Sequence, residues 1–245
     1  MDTCSKVLEL PIRLASSSQT AAFHLTNPLN QKTVAPSIMV DYENHIFLSY
    51  RRSDADWVRW TSENFGRALA SLLRLRLGAV KVFIDEKIED GVSWPNYLAL
   101  GLSRSRIMVA VLSRDYFQSD WCRLELALMH HRETTGKFRT AANPWGLIIP
   151  VIIDDGDCFP PEVQSMQGEP LHAFANPFMR PDSPKQEALA EVLRNKLCPS
   201  IEQALAVVPP YDPAWEKLAH KQFEGVFKIH MQSQKTVPSL VLPIP

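Results

Sequence analysis

Apolar residues along the chain come in short blocks, each followed by a polar loop and then by a stretch with helical spacing. Residues 45–50 form a β-rich run that ends in Arg51-Arg52-Ser53-Asp54, as a buried strand does where it turns into a helix. Asp54 is placed to cap that helix, and Val58, Phe65, Leu69 and Leu72 recur at spacings of seven, four and three, one face of a long amphipathic helix. A second strand is predicted at 80–84, a charged loop at 85–93, and a short helix from about 95 to 102, with Pro95 suited to its first turn. The third strand is 107–112. Ser113 or Ser119 then caps a helix running through His131, and 147–153 is a fourth apolar strand interrupted by Pro150. A weaker fifth strand is expected at 171–174, a closing helix at 184–207 and a further helix at 213–230. Residues 1–42 carry few charges and no sustained period. They read as an arm with one short strand at 7–10, ahead of a domain at 43–208 and a C-terminal extension at 209–245 whose end, from 233, frays.

Strands alternating with helices, with no hairpin dipeptides between them, predict an α/β protein: a parallel sheet with helices on both faces. Right-handed crossovers then bring every strand-to-helix loop to one edge of the sheet, and those loops start at Tyr50, Asp85, Ser113 and Asp154. Function is to be sought there. Proline supports the same division, because only Pro95 falls between Ser37 and Asn143, whereas fifteen of the nineteen prolines lie from Pro144 onward.

Composition removes several classes. With 26 basic and 27 acidic residues and a net charge of −1, no global field would hold nucleic acid or an anionic membrane. The longest proline-free apolar run, 107–112, is far short of the roughly 20 residues of a membrane span, and no basic-then-apolar leader opens the chain. Cys4, Cys122, Cys158 and Cys198 are widely spaced, which argues against a disulfide framework or structural zinc and for a cytoplasmic protein with reduced thiols. His130-His131 point about 100° apart on a helix with no third ligand, so no metal is expected. No two glycines are closer than ten positions, which excludes GxGxxG, Walker A and GxSxG loops.

Three segments carry the chemistry: Phe47-Leu48-Ser49-Tyr50-Arg51-Arg52-Ser53-Asp54, then 83–94 (FIDEKIEDGVSW), then 112–126 (LSRDYFQSDWCRLEL). In this order they resemble the Toll/interleukin receptor (TIR) domain family over about 45–207, with 150–152 and 160–162 similar to its fourth strand and following loop. The resemblance implies a flavodoxin-like five-stranded parallel sheet and one of two functional classes. Some members are NAD+ glycohydrolases or cyclases of bacterial antiphage defence and plant immunity. Others are scaffolds that bind further TIR domains. A host-directed effector is a third option.

Residue chemistry bears on that choice. Trp121 and Glu125 are four apart and stack on one helix face near the carboxyl edge, where partial desolvation raises a carboxylate pKa. Cleavage of the nicotinamide–ribose bond releases a neutral base from a pyridinium, so one carboxylate suffices to hold ribose hydroxyls and stabilise oxocarbenium-like charge. The resemblance gives the catalytic role to Glu125 and a substrate-wall role to Trp121. The alternatives are a surface carboxylate reaching Arg132 and a core tryptophan. Tyr50 and Arg51 are expected to contact nicotinamide and diphosphate, the alternative being a solvated turn with an Arg52–Asp56 pair, and Asp85 is the second loop's best substrate contact. Trp94 is expected to anchor that loop and Cys122 to be a buried small hydrophobe. Glu86, Lys87, Ile88, Glu89, Asp90 and Gly91 correspond to the family's assembly loop, used in head-to-tail association. NAD+ is thus expected as substrate and not as cofactor, with self-association, other TIR domains or a separate sensor or effector protein as partners. Whether ADP-ribose, a cyclic isomer or a base-exchanged nucleotide forms depends on what captures the intermediate.

Overall fold

The computed structural model describes residues 41–85, 93–154, 156 and 159–235. The strands are β1 (Asn44–Ser49), β2 (Val82–Ile84), β3 (Ser105–Leu112), β4 (Ile148–Ile152) and β5 (Glu169–Pro170), all parallel, in the order β2-β1-β3-β4-β5. This is the flavodoxin-like order. The helices are α1 (Ala55–Arg59), α2 (Arg67–Leu77), α3 (Trp94–Ser103), α4 (Asp120–Thr135), α5 (Pro161–Gln164), α6 (Pro184–Val192), α7 (Cys198–Ala206) and α8 (Pro213–Lys235). A π-helical stretch, Trp60–Gly66, joins α1 to α2, and another, Leu193–Leu197, joins α6 to α7, so each pair runs as one continuous helix.

Strand order decides which face each helix covers. The chain steps from β1 outward to β2, then reverses to β3 and β4, so right-handed crossovers put α1–α2 on one face and α3 and α4 on the other. Helices α6 and α7 pack on α2, and α8 packs across α3 and α4. The reversal leaves the carboxyl ends of β1 and β3 open between diverging crossovers, where ligands of such sheets bind.

Sequence expectations for the first four strands and their helices hold to within a few residues. Asp54 caps α1 through the amides of Asp56 and Trp57, and of the two serines considered for α4 it is Ser119 that accepts from the Cys122 amide. Three corrections follow. The fifth strand is Glu169–Pro170, while His172–Phe174 winds into a 3-10 turn. Pro150 does not interrupt β4: it pairs in register with Ala110, and its missing N–H faces β5, whose pairing begins only at Val151. Helix α8 extends past His230 to Lys235. The arm at 1–40, including the short strand expected at 7–10, and the last ten residues lie outside the described residues.

Helix α8 is fixed to the α3–α4 layer by polar as well as apolar contacts. Phe223 and Ala219 are buried, Arg104 donates to Glu216 at 3.0 Å, and His230 pairs with Asp120 at 3.1 Å. Among the described residues no helix is long and apolar enough to cross a membrane.

Candidate functional site

Glu125 occupies the second turn of α4, beneath the end of β1. Alternation along β1 turns Ser49, like Phe47, toward one face of the sheet, and Ser49 reaches the helix below. Its hydroxyl lies 2.6 Å from Glu125 Oε2 and 2.7 Å from the Tyr116 hydroxyl, which in turn lies 3.1 Å from the Cys122 carbonyl. Glu125 is only 6% exposed, and its Oε1 has no hydrogen-bond partner among the described residues. Burial pushes its carboxyl from the ordinary 4.5 up to about 8; the Ser49 hydroxyl opposes the rise, the Asp85 carboxylate adds to it and the Arg52 guanidinium opposes it. The surface pairing of Glu125 with Arg132 does not form. Arg132 is itself buried and donates to the Ser105 carbonyl and to Tyr42.

Asp85 follows β2 directly and is 5% exposed. Its Oδ2 accepts from Arg52 at 2.5 Å and from Trp94 Nε1 at 3.3 Å, its main-chain carbonyl accepts from the Tyr50 hydroxyl at 3.2 Å, and its Oδ1 is buried with no partner. Arg52 therefore reaches across to Asp85. Asp56, expected as its partner, pairs with Arg59. The Trp94 ring meets the Trp121 ring edge-on at 4.4 Å, so Asp85, Trp94, Trp121 and, one turn along α4, Glu125 form one continuous group. Trp121 is half-buried, with its indole also stacked near Phe223 at 6.0 Å and His230 at 5.6 Å.

Tyr50 is buried and Arg51 half-buried at the end of β1. Both line a cavity of about 580 Å³ at the carboxyl ends of β1, β3 and β4, with Trp57, Ser113, Arg114 and Asp154; Glu125, Asp85 and Trp121 do not line it. The Nε of Arg51 is buried without a partner. The strand edge thus carries two features, a carboxylate cluster on the α4 side and an open cavity beside α1. Cys122 is buried, donates to the Tyr50 carbonyl at 3.5 Å, and burial pushes its thiol up to about 12, far from a nucleophile's range. His131 meets Trp215 edge-on at 5.8 Å, and no three His, Cys, Asp or Glu side chains among the described residues converge as a metal site. Glu86, Lys87, Ile88, Glu89, Asp90 and Gly91 lie outside the described residues.

Sequence reasoning overlooked Ser49 and Tyr116 as site residues and ranked Arg52 behind Tyr50 and Arg51 as a substrate contact. A signal existed for Ser49, a polar residue on the same face as the buried Phe47 at the end of the apolar run of β1. Tyr116 gave none, because its partner is 67 positions away, and for Arg52 it was the partner, Asp85, 33 positions away, that gave none.

A flavodoxin-like α/β domain with a buried carboxyl group at the carboxyl edge of its sheet is the class defined by these observations. The chain belongs to the TIR domain family, which matches residues 46–193. It is also similar to the TIR domains in the structure of the activated Roq1 resistosome directly recognizing the pathogen effector XopQ, at 19% identity over 74% of this chain and 84% of that one, with a TM-score of 0.29. No curated protein matches the sequence.

Proposed function

We propose that this TIR domain cleaves NAD+ at the nicotinamide–ribose bond, with Glu125 as the catalytic residue, in cytoplasmic immune defence or signalling. The observation that carries this reading is the state of Glu125: buried, held through Oε2 by Ser49, and presenting Oε1 unoccupied beside Asp85, whose Oδ1 is also unoccupied. Two such acceptors suit the hydroxyls of a ribose. Nicotinamide leaves with the electron pair of the broken C–N bond and needs no proton. The ribosyl cation left behind is stabilised by the Glu125 carboxylate, whose formation is favoured by the approaching positive charge. Water capture gives ADP-ribose, and capture by the substrate's own adenine gives a cyclic isomer.

In this reading Arg52 orients Asp85, and Tyr50 fixes the backbone of Asp85. Trp121, enclosed by three rings, holds the first turn of α4 in place and forms the wall of the site together with Trp94. Arg51, with its unpartnered Nε, serves the diphosphate. The loop at 86–91 supports self-association or contact with other TIR domains, and a separate sensor or effector protein sets when that happens.

The test is steady-state NAD+ turnover in two variants. Glu125→Gln abolishes turnover, and Asp85→Asn raises KM about tenfold, the loss of one hydrogen bond to a charged acceptor. Activity retained in Glu125→Gln rejects Glu125 as the catalytic residue, and no turnover by either protein favours a scaffold.

A further inference from the structure

Around Glu125 the hydrogen-bonding hydroxyls and their protons do not match one to one. Ser49 and Tyr116 own one proton each, yet three close contacts join Glu125, Ser49, Tyr116 and the Cys122 carbonyl. Two protons fill two contacts in one direction: Tyr116 donates to Ser49, and Ser49 to the carboxylate. Three protons fill all three in the other: protonated Glu125 donates to Ser49, Ser49 to Tyr116, and Tyr116 to the Cys122 carbonyl. That carbonyl is already in the α4 ladder and has a second lone pair to offer. Neither arrangement strands a buried hydroxyl proton.

We propose that Ser49 and Tyr116 are positioning residues, a two-hydroxyl relay that reverses direction as Glu125 gains or loses its proton and so lets a buried carboxyl change charge without moving. The geometry stands by itself, while its purpose rests on the catalytic reading of Glu125. Burial holds the Tyr116 phenol well above its ordinary 10.0, so it remains a proton-bearing hydroxyl in both states. The other groups acting on Glu125 are Arg52 beyond β1, Asp85 beyond β2 and Cys122 on its own helix; α8 meets Trp121 and Asp120 through His230.

The two hydroxyls act with opposite sign. With the acid proton on Oε2, where Ser49 can accept it and from which Oε1 has no partner among the described residues to draw it, removing the Tyr116 hydroxyl leaves the Ser49 proton without an acceptor only when Glu125 is protonated, so Tyr116→Phe disfavours the acid and lowers the Glu125 titration midpoint. Removing the Ser49 hydroxyl deletes a charge-assisted bond to the carboxylate but only a neutral one to the acid, so Ser49→Ala raises it. The experiment is a carboxyl-carbon NMR titration of the full chain labelled at glutamate, the Glu125 resonance being the one missing in Glu125→Gln. A wild-type midpoint near 8 is expected. Tyr116→Phe is expected about one pH unit lower, Ser49→Ala about one unit higher and Ser49→Thr near wild type. Near-UV circular dichroism checks the fold, and should Ser49→Ala lose it, Ser49→Cys, with a weak donor, is expected to show the same upward shift. Shifts of one sign, no shifts, or a wild-type midpoint near 4.5 overturn the relay. Opposed shifts in a chain that leaves NAD+ intact uphold the relay and reject the catalytic reading, whereas turnover without opposed shifts does the reverse.

Discussion

Glu125 keeps in the folded state a proton that the unfolded chain releases at its ordinary pKa. Its contribution to stability therefore falls as pH rises from 4.5 to about 8, with the full cost of the buried charge present above that. Glu125→Gln replaces the acid by a neutral isostere. Urea unfolding at pH 5 and pH 9 is expected to show wild type losing more stability than the variant, by on the order of a few kcal/mol. On the proposed catalytic reading, the same group sets the pH dependence of turnover. Since the carboxylate is the working form, kcat/KM for NAD+ is expected to climb about tenfold per pH unit below about 8 and level off above it, and a profile that falls over this range would contradict the role. Of these residues, the placement of Asp85, Trp121 and Glu125 near the carboxyl edge was legible from sequence, because Asp85 directly follows a strand and Trp121 and Glu125 are four apart on one helix face, whereas their roles came from the family resemblance. Arg52 was misassigned because a neighbour in sequence, Asp56, offered an equally good charge, and only the fold brings Asp85 nearer.

At the scale of elements, two contacts hold the site in place. Helix α3 approaches β2 so closely at Gly101 that a Cβ there would stand within 2.7 Å of three carbons of the Phe83 ring, itself stacked on Phe47 at 5.1 Å and against Tyr97 at 5.0 Å. With the ring hemmed in, Gly101→Ala is expected to destabilise by about 1–3 kcal/mol through overpacking, read as a lowered urea midpoint at unchanged slope. Helix α8 depends on Phe223. Phe223→Ala is expected to cost about 3–5 kcal/mol at that contact and to show first as faster amide exchange in α8 and the first turn of α4. Periodicity located β1 to β4 and the long helices, whose buried faces are repeated many times over. It misplaced β5, because two residues paired to one edge of β4 carry no period, and it could not show that α8 covers Trp121, since that packing joins residues about a hundred positions apart.

For the whole molecule, the reversal of strand order at β1 brings three distant segments to one edge: Ser49 to Arg52, Asp85, and the 116–125 region of the chain. The family assignment fixes this frame, and the proposed catalytic role rests on the buried carboxyl group within it. The most direct test is nicotinamide release from NAD+ at high protein concentration with a crowding agent, wild type beside Glu125→Gln, with products resolved by chromatography. The account predicts release by wild type alone, accompanied by ADP-ribose or a cyclic isomer. Equal release by both proteins, or intact NAD+ in both when the wild type is demonstrably assembled, would contradict it.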